Sequence, residues 1–438
     1  MKYANQIKEI INAFSPEPLG SEEMETFYCE ETMEYRMSDK YSSPMDDIFE
    51  TCQEMRERKA FLLLGHKGCG KSTELNRMSA RFEEEGYRVK TIVCSLDLDL
   101  LNMVYSDIFI LMGEALLEIA EESGCYIRNK LLYEINEFWD EKAETFTSVD
   151  TGEMGLETGI TAETPKILKN VLSLFAKMKV DLKYNEETRK EYRRKISTKS
   201  SEWIALLSQV AREIEEKNEG RQPIIIFEDL DKLNPEDAWE VFYNYAAILS
   251  GMSFPVIYTF PIALSYDTKF AAMESYFMTK TLPMIKIETV DGSEYESGIQ
   301  VIEKIVEKRA NMGLFEEGVL KELIRYTGGS LRDLFHTITF AAKRADRRRS
   351  STIAMEDAYR ALEELKTSLT RRIEQRDYEF LINICRGNKE QITDKGMLLR
   401  MLQVSVVLEY NGKRWHNVHP LVAQFLKEQR LLENGSSR

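Results

Sequence analysis

Apolar residues fall in short dense runs over the first two thirds of the chain and in helix-spaced stripes over the last third. Phe61-Leu62-Leu63-Leu64 ends at Gly65, and the periodic stretch Glu74-Leu75-Asn76-Arg77-Met78 follows shortly after. The first pattern predicts a buried parallel strand and the second, from Thr73 onward, a helix. A second strand is expected over 87–94, then a long helix with Ile108, Met112, Ala115, Leu116 and Ile119 on one stripe. Pro223-Ile224-Ile225-Ile226-Phe227 is the most apolar run and predicts a third strand. A helix over 236–250 and strands over 254–260 and 282–288 complete the series. Strands alternating with helices imply an α/β fold with a doubly wound parallel sheet.

This patterning divides the chain into four stretches: an acidic, mixed segment over 1–58, a sheet-bearing core over 59–290, a helical region over 291–370 and a small unit over 371–438. The core carries a polar interruption at about 140–200 that ends in the basic run Arg189-Lys-Glu-Tyr-Arg193-Arg194-Lys195. An interruption of that length reads as a partly helical insertion with a functional or flexible role. In the last unit, helices over 375–385 and 395–402 precede a hairpin with Asn411-Gly412 at its turn. Two helices and a two-stranded wing predict a winged helix-turn-helix. No internal repeat is visible.

The chain has 438 residues and a formal net charge of −15, which argues against a surface-wide nucleic-acid footprint but leaves room for a local basic patch. Its six cysteines show no metal-ligand spacing and read as free thiols. Met1-Lys2-Tyr3-Ala4-Asn5-Gln6 lacks the apolar stretch of a secretory leader, and no apolar run approaches bilayer length. The expectation is a soluble, cytoplasmic protein without a membrane partner.

The first strand runs into Gly65-His66-Lys67-Gly68-Cys69-Gly70-Lys71-Ser72-Thr73, the G-x-x-x-x-G-K-S-T pattern of a phosphate-binding P-loop. Glycines at 65, 68 and 70 let the backbone turn sharply and aim N–H groups at phosphate oxygens, and the following helix adds its positive dipole end. Lys71 would reach the β/γ-phosphates and Ser72 would ligate Mg²⁺. The competing reading is a plain glycine turn with an incidental lysine. The third strand ends at Glu228-Asp229, as a Walker B strand does. Glu228 would hold Mg²⁺, and Asp229 would polarise the attacking water. Thr259, ending the fourth strand, occupies a sensor position, or is simply a strand threonine. Arg332 follows Gly328-Gly329-Ser330-Leu331 at a helix start, where an arginine can reach from a lid to the γ-phosphate; otherwise it is a surface residue. Tyr28, Tyr35 and Tyr41 could stack on a base or merely pack.

Together these motifs resemble the AAA+ ATPases, over about 60–438, and most closely the origin-recognition-like and STAND/KAP-type bacterial groups that end in a winged helix. The resemblance implies binding of ATP and Mg²⁺, a strand order of 5-1-4-3-2, self-association on nucleotide binding and an arginine finger acting in trans. Arg193, Arg194 and Arg309 are the candidates for that finger. The acid order departs from the family: Glu228 precedes Asp229, where Asp-Glu is usual.

Two functions follow. One is a switch, in which slow ATP hydrolysis moves the lid and the winged helix to gate a separately encoded effector, as in bacterial anti-phage defence. The other is ATP-dependent DNA binding through Lys343-Arg344, Arg347-Arg348-Arg349, Lys413 and Arg414. The apolar segment over 393–402 suits a protein surface better than a major groove. The hairpin would display Tyr410 and Trp415 to that partner. The switch is the favoured reading.

Overall fold

The computed structural model describes residues 1–36, 43–54, 60–139, 164–390, 392–410 and 415–432. Five parallel strands form the sheet: β1 (Ala60–Gly65), β2 (Arg88–Val93), β3 (Pro223–Glu228), β4 (Val256–Pro261) and β5 (Met278–Leu282). They lie in the order β2-β3-β4-β1-β5, which counted from the β5 edge is 5-1-4-3-2. Every residue of β1 and β3 is buried, whereas the edge strands β2 and β5 are mostly half-exposed. Leu62, Leu64, Ile225, Phe227 and Tyr258 enter one core cluster, and Phe61, Leu63, Ile224, Ile226 and Ile257 enter another. Both faces of the sheet are covered, which is why the inner strands are unbroken apolar runs rather than alternating ones.

The fifth strand corrects the expectation for 282–288. It ends at Leu282, paired in parallel with Gly65, immediately before Pro283. Proline has no N–H to give to a ladder, so the apolar stretch after it leaves the sheet. That stretch makes only isolated bridges, Met284 to Tyr410 and Glu288 to Glu294. The helix expected from Thr73 begins two residues earlier, at Lys71, and runs to Glu84.

Between β2 and β3 the helix Tyr105–Glu122 carries the helices Asn129–Trp139, Thr164–Tyr184 and Glu186–Lys217. Trp203 stacks on Phe138 and Phe175, with ring centroids 4.9 and 6.0 Å away. A Cβ on Gly113 would stand 2.7 Å from the Trp203 ring, so glycine there lets two helices close on each other. These helices belong to the main core; residues 140–163 lie outside the described residues.

Helices Glu296–Glu307, Val319–Tyr326, Leu331–Arg347 and Met355–Thr370 share a second core, which also takes in Ala4, Ile7, Ile10 and Phe14. Backbone bonds from Ala4 N to Arg309 O (2.9 Å) and from Asn311 N to Ala4 O (2.8 Å) tie the N-terminal segment to this helical layer.

The last unit contains helices Tyr378–Cys385, Lys395–Gln403 and Pro420–Glu428 and an antiparallel pair, β6 (Val407–Tyr410) and β7 (Trp415–Val418). Its aromatics contradict the expected display to a partner. Tyr410 and Trp415 are buried, stack at 4.6 Å and pack in the cluster that holds Phe61 and Leu63. In a four-residue strand, alternation alone does not say which face meets a neighbour. The hairpin turn, with Lys413 and Arg414, lies outside the described residues.

Candidate nucleotide-binding site

The loop after β1 turns through two left-handed glycines, Gly68 (φ 85°) and Gly70 (φ 98°), and delivers Lys71 to the first turn of its helix. A side chain at Gly68 would meet Arg332 Cβ at 2.5 Å, because the start of helix Leu331–Arg347 rests on the loop. Arg332 N lies 3.4 Å from Gly68 O.

Lys71 is 7% exposed. Its ammonium donates to Gly65 O (2.8 Å) and His66 O (3.0 Å) and pairs with Asp231 at 2.9 Å. Asp231 sits in the tight turn Leu230–Lys232, one turn beyond the strand-end acids. Only the third acid in Glu228-Asp229-Leu230-Asp231 hints at it in the sequence.

The acids at the end of β3 have distinct surroundings. Burial pushes the Glu228 carboxyl above its usual range, and a hydrogen bond from Ser72 pulls it partly back. Asp229 has left-handed backbone (φ 69°), accepts from Ser95 Oγ and pairs with Lys232 at 2.7 Å. The Thr259 hydroxyl donates to Phe227 O (3.3 Å) and accepts from Leu230 N (3.0 Å), so it holds the turn that carries these acids. Among the described residues no group of three or more His, Cys, Asp or Glu side chains forms a ready-made cation cage. A Mg²⁺ ion would rest on Ser72, Glu228 and the phosphates themselves, as this hard, strongly hydrated cation commonly does.

Lys67, Gly68, Gly70, Lys71, Ser72 and Thr73 line a cavity of about 580 Å³, with Glu228, Asp229, Thr259 and Arg332. Gly65, His66 and Cys69 do not line it; they brace the loop from behind. Cys69 Sγ lies 3.7 Å from Leu282 O, and His66 Nε2 accepts from Glu409 N on β6 at 2.8 Å. Burial pushes the His66 imidazole down to about 3, so it is neutral at physiological pH.

The opposite wall comes from the N-terminal segment and the helical layer: Leu19, Phe27, Tyr28, Arg36, Arg309 and Phe335. Leu19 clips to the P-loop helix through Thr73 Oγ1 (3.3 Å) and Asn76 (2.9 Å). Tyr28 donates to Glu74 at 3.0 Å, and burial pushes that carboxyl up. Tyr35 packs into the helical core instead, and Tyr41 lies outside the described residues. Of the three arginines considered as trans fingers, Arg193 turns inward to the buried Asp107 at 2.8 Å. Arg309 is buried in its own chain's cavity wall, over the Phe335 ring at 4.5 Å. Arg194 is exposed.

No family model and no curated protein matches the chain. Solved structures align with it along nearly all its length. A Walker-type ATPase of Pyrococcus abyssi is 14% identical, covering 95% of this chain and 99% of its own, with a TM-score of 0.46. Cdc6p from Pyrobaculum aerophilum is 12% identical, covering 96% and 97%, at 0.40. The RuvB Holliday junction branch migration motor of Thermotoga maritima is 9% identical, covering 90% and 97%, at 0.35. Likenesses this remote assign the chain neither activity nor partner.

Proposed function

We propose that the chain binds and hydrolyses ATP with Mg²⁺ and works as a molecular switch. The observation that carries this is the convergence at one cavity of Lys71 in a glycine-turned loop, Ser72 bonded to Glu228, and a helix start seated on Gly68. Lys71 would hold the β/γ-phosphates, with N–H groups of residues 68–73 around them. Ser72 and Glu228 would hold Mg²⁺, which supplies charge neutralisation between phosphate oxygens. Asp229, fixed by Ser95 and Lys232, would orient the attacking water. The 580 Å³ cavity continues past the loop to the apolar side chains Leu19, Phe27 and Phe335, which suit a base.

Physical continuity between loop, lid and C-terminal unit supports the switch. Arg332 rests on Gly68, the Tyr410 hydroxyl donates to Gly328 O at 2.7 Å, and Glu409 N donates to His66 of the loop itself. A change in the loop therefore bears on both units, and in the proposed role their movement gates a separately encoded effector, with self-association on ATP and anti-phage defence as the setting. Arg194 remains the exposed candidate for a trans finger. DNA binding is the weaker reading: within the 343–349 cluster Arg348 is bonded to Asp357. Among the described residues no helix is long and apolar enough to cross a membrane. Phosphate release from ATP, measured with Mg²⁺ and again with excess EDTA, tests the proposal. Magnesium-dependent turnover is expected, and its absence at any protein concentration would remove hydrolysis from the account.

A further inference from the structure

We propose that Arg36, from the short helix Thr32–Arg36 ahead of β1, is a phosphate-binding residue of this site, contributed in cis. The inference rests on the nucleotide reading above and adds a residue that no P-loop pattern contains. Arg36 is 1% exposed, yet it lines the cavity. Its NH2 lies 3.3 Å from the point where a Cβ on Gly70 would stand, so the guanidinium lies directly against the phosphate loop.

A guanidinium carries five N–H donors. NH1 donates to Pro283 O at 2.7 Å, while Nε is buried with no partner. Among the described residues no carboxylate stands within ion-pair distance. Glu74 is near enough to feel the charge, but both its oxygens face the Tyr28 hydroxyl, at 3.0 and 3.2 Å. A buried cation needs an anion, and one left uncompensated is costly. A planar fork with unused donors suits phosphate oxygens, which it can bind in bidentate fashion. Since P-loop amides cradle the α/β-phosphates, a cation beside Gly70 serves a part of the ligand that ATP and ADP share.

The alternative is a brace that ties the loop to the end of β5 through Pro283. Arg36→Gln separates the two, because the amide can still donate to Pro283 O while the charge is gone. ATP and ADP are titrated calorimetrically into the wild-type chain, Arg36→Gln and Arg36→Lys, and each protein is melted without nucleotide. The proposal expects both nucleotides to bind at least tenfold more weakly to Arg36→Gln, with partial recovery in Arg36→Lys. The nucleotide-free melting temperature of Arg36→Gln should equal or exceed that of the wild type. Unchanged affinity, or a loss of affinity matched by a lower nucleotide-free melting temperature, overturns the role of Arg36. If Arg36→Gln does not fold, Arg36→Lys decides: wild-type affinity in it also overturns the proposal. A wild-type chain that binds neither nucleotide overturns the site itself, a result distinct from binding that Arg36→Gln leaves intact.

Discussion

The two walls of the cavity treat charge in opposite ways. On the wall formed by β3 and the P-loop, three buried or strand-end charges have partners within the protein: Lys71 with Asp231, Asp229 with Lys232 and Ser95, Glu228 with Ser72. On the wall formed by the N-terminal segment and the helical layer, Arg36 and Arg309 each place NH1 on a backbone carbonyl and leave Nε buried without a partner. Burial pulls the Arg309 guanidinium down to about 10, against an opposing pull from Glu23. A buried charge without a partner is expensive. Lys71, Asp229 and Glu228 are therefore compensated within the protein, whereas in the proposed site the two arginines would gain their counter-charge from an anion between the walls. In the proposed site the acids would position metal and water, and the arginines would receive the ligand's charge.

The largest effect that sharpens this division is on turnover. Asp229→Asn keeps the shape of the acidic wall and should slow ATP hydrolysis by roughly a hundredfold or more, with nucleotide affinity nearly unchanged. If Glu228→Gln abolishes turnover and Asp229→Asn does not, the roles of the two acids are exchanged. Single-turnover kinetics of both variants decide the matter.

On the lid side, Arg332→Ala should leave ATP affinity within a few-fold, on the order of 1 kcal/mol or less, yet uncouple assembly or turnover from nucleotide. Light scattering with and without ATP, alongside phosphate release, checks this. A variant that assembles and turns over like the wild type would make Arg332 a surface residue.

A smaller effect concerns the loop's brace. His66 titrates lower in the folded chain than in the unfolded one, so between about 6.5 and 3 the unfolded state binds more protons and stability falls as pH falls. From about pH 7.5 to pH 5 this one residue should cost the wild type about 2 kcal/mol. His66→Gln, whose amide oxygen can still accept from Glu409 N, should lose that part of the acid sensitivity. Parallel denaturant melts at the two pH values give the difference, and equal losses in both proteins would refute the assignment.

The smallest effect is expected at Tyr410. Tyr410→Phe keeps the stack on Trp415 and removes the bond to Gly328 O, for a cost of about 1 kcal/mol in an equilibrium melt. No change in the melt would mean that the hairpin is held by packing alone.

The parts of this molecule that were legible in the sequence depend on near neighbours in the chain. The run Phe61–Leu64 and the glycines after it announce strand, loop and helix within a dozen residues, and Ile224–Phe227 does the same for the third strand. Leu282 to Glu288 looked equally strand-like, but Pro283 ends the ladder where the apolar pattern continues. The rest depends on distant partners. Arg36 meets Pro283, Lys71 meets Asp231, and His66 meets Glu409 from the far end of the chain. No periodicity carries those pairings. The same holds for Tyr410 and Trp415, whose burial is decided by the sheet they pack on.

The account stands on the cavity being a nucleotide site with Lys71 as its phosphate-binding charge. An equilibrium titration of Mg-ATP against the wild-type chain and Lys71→Ala tests that most directly, with a melt of each protein to confirm that both are folded. Saturable binding by the wild type, with affinity reduced at least about a hundredfold in the folded variant, is the predicted result, an effect near 2.7 kcal/mol. Equal affinity in the two proteins, or no binding by the folded wild type, would contradict it.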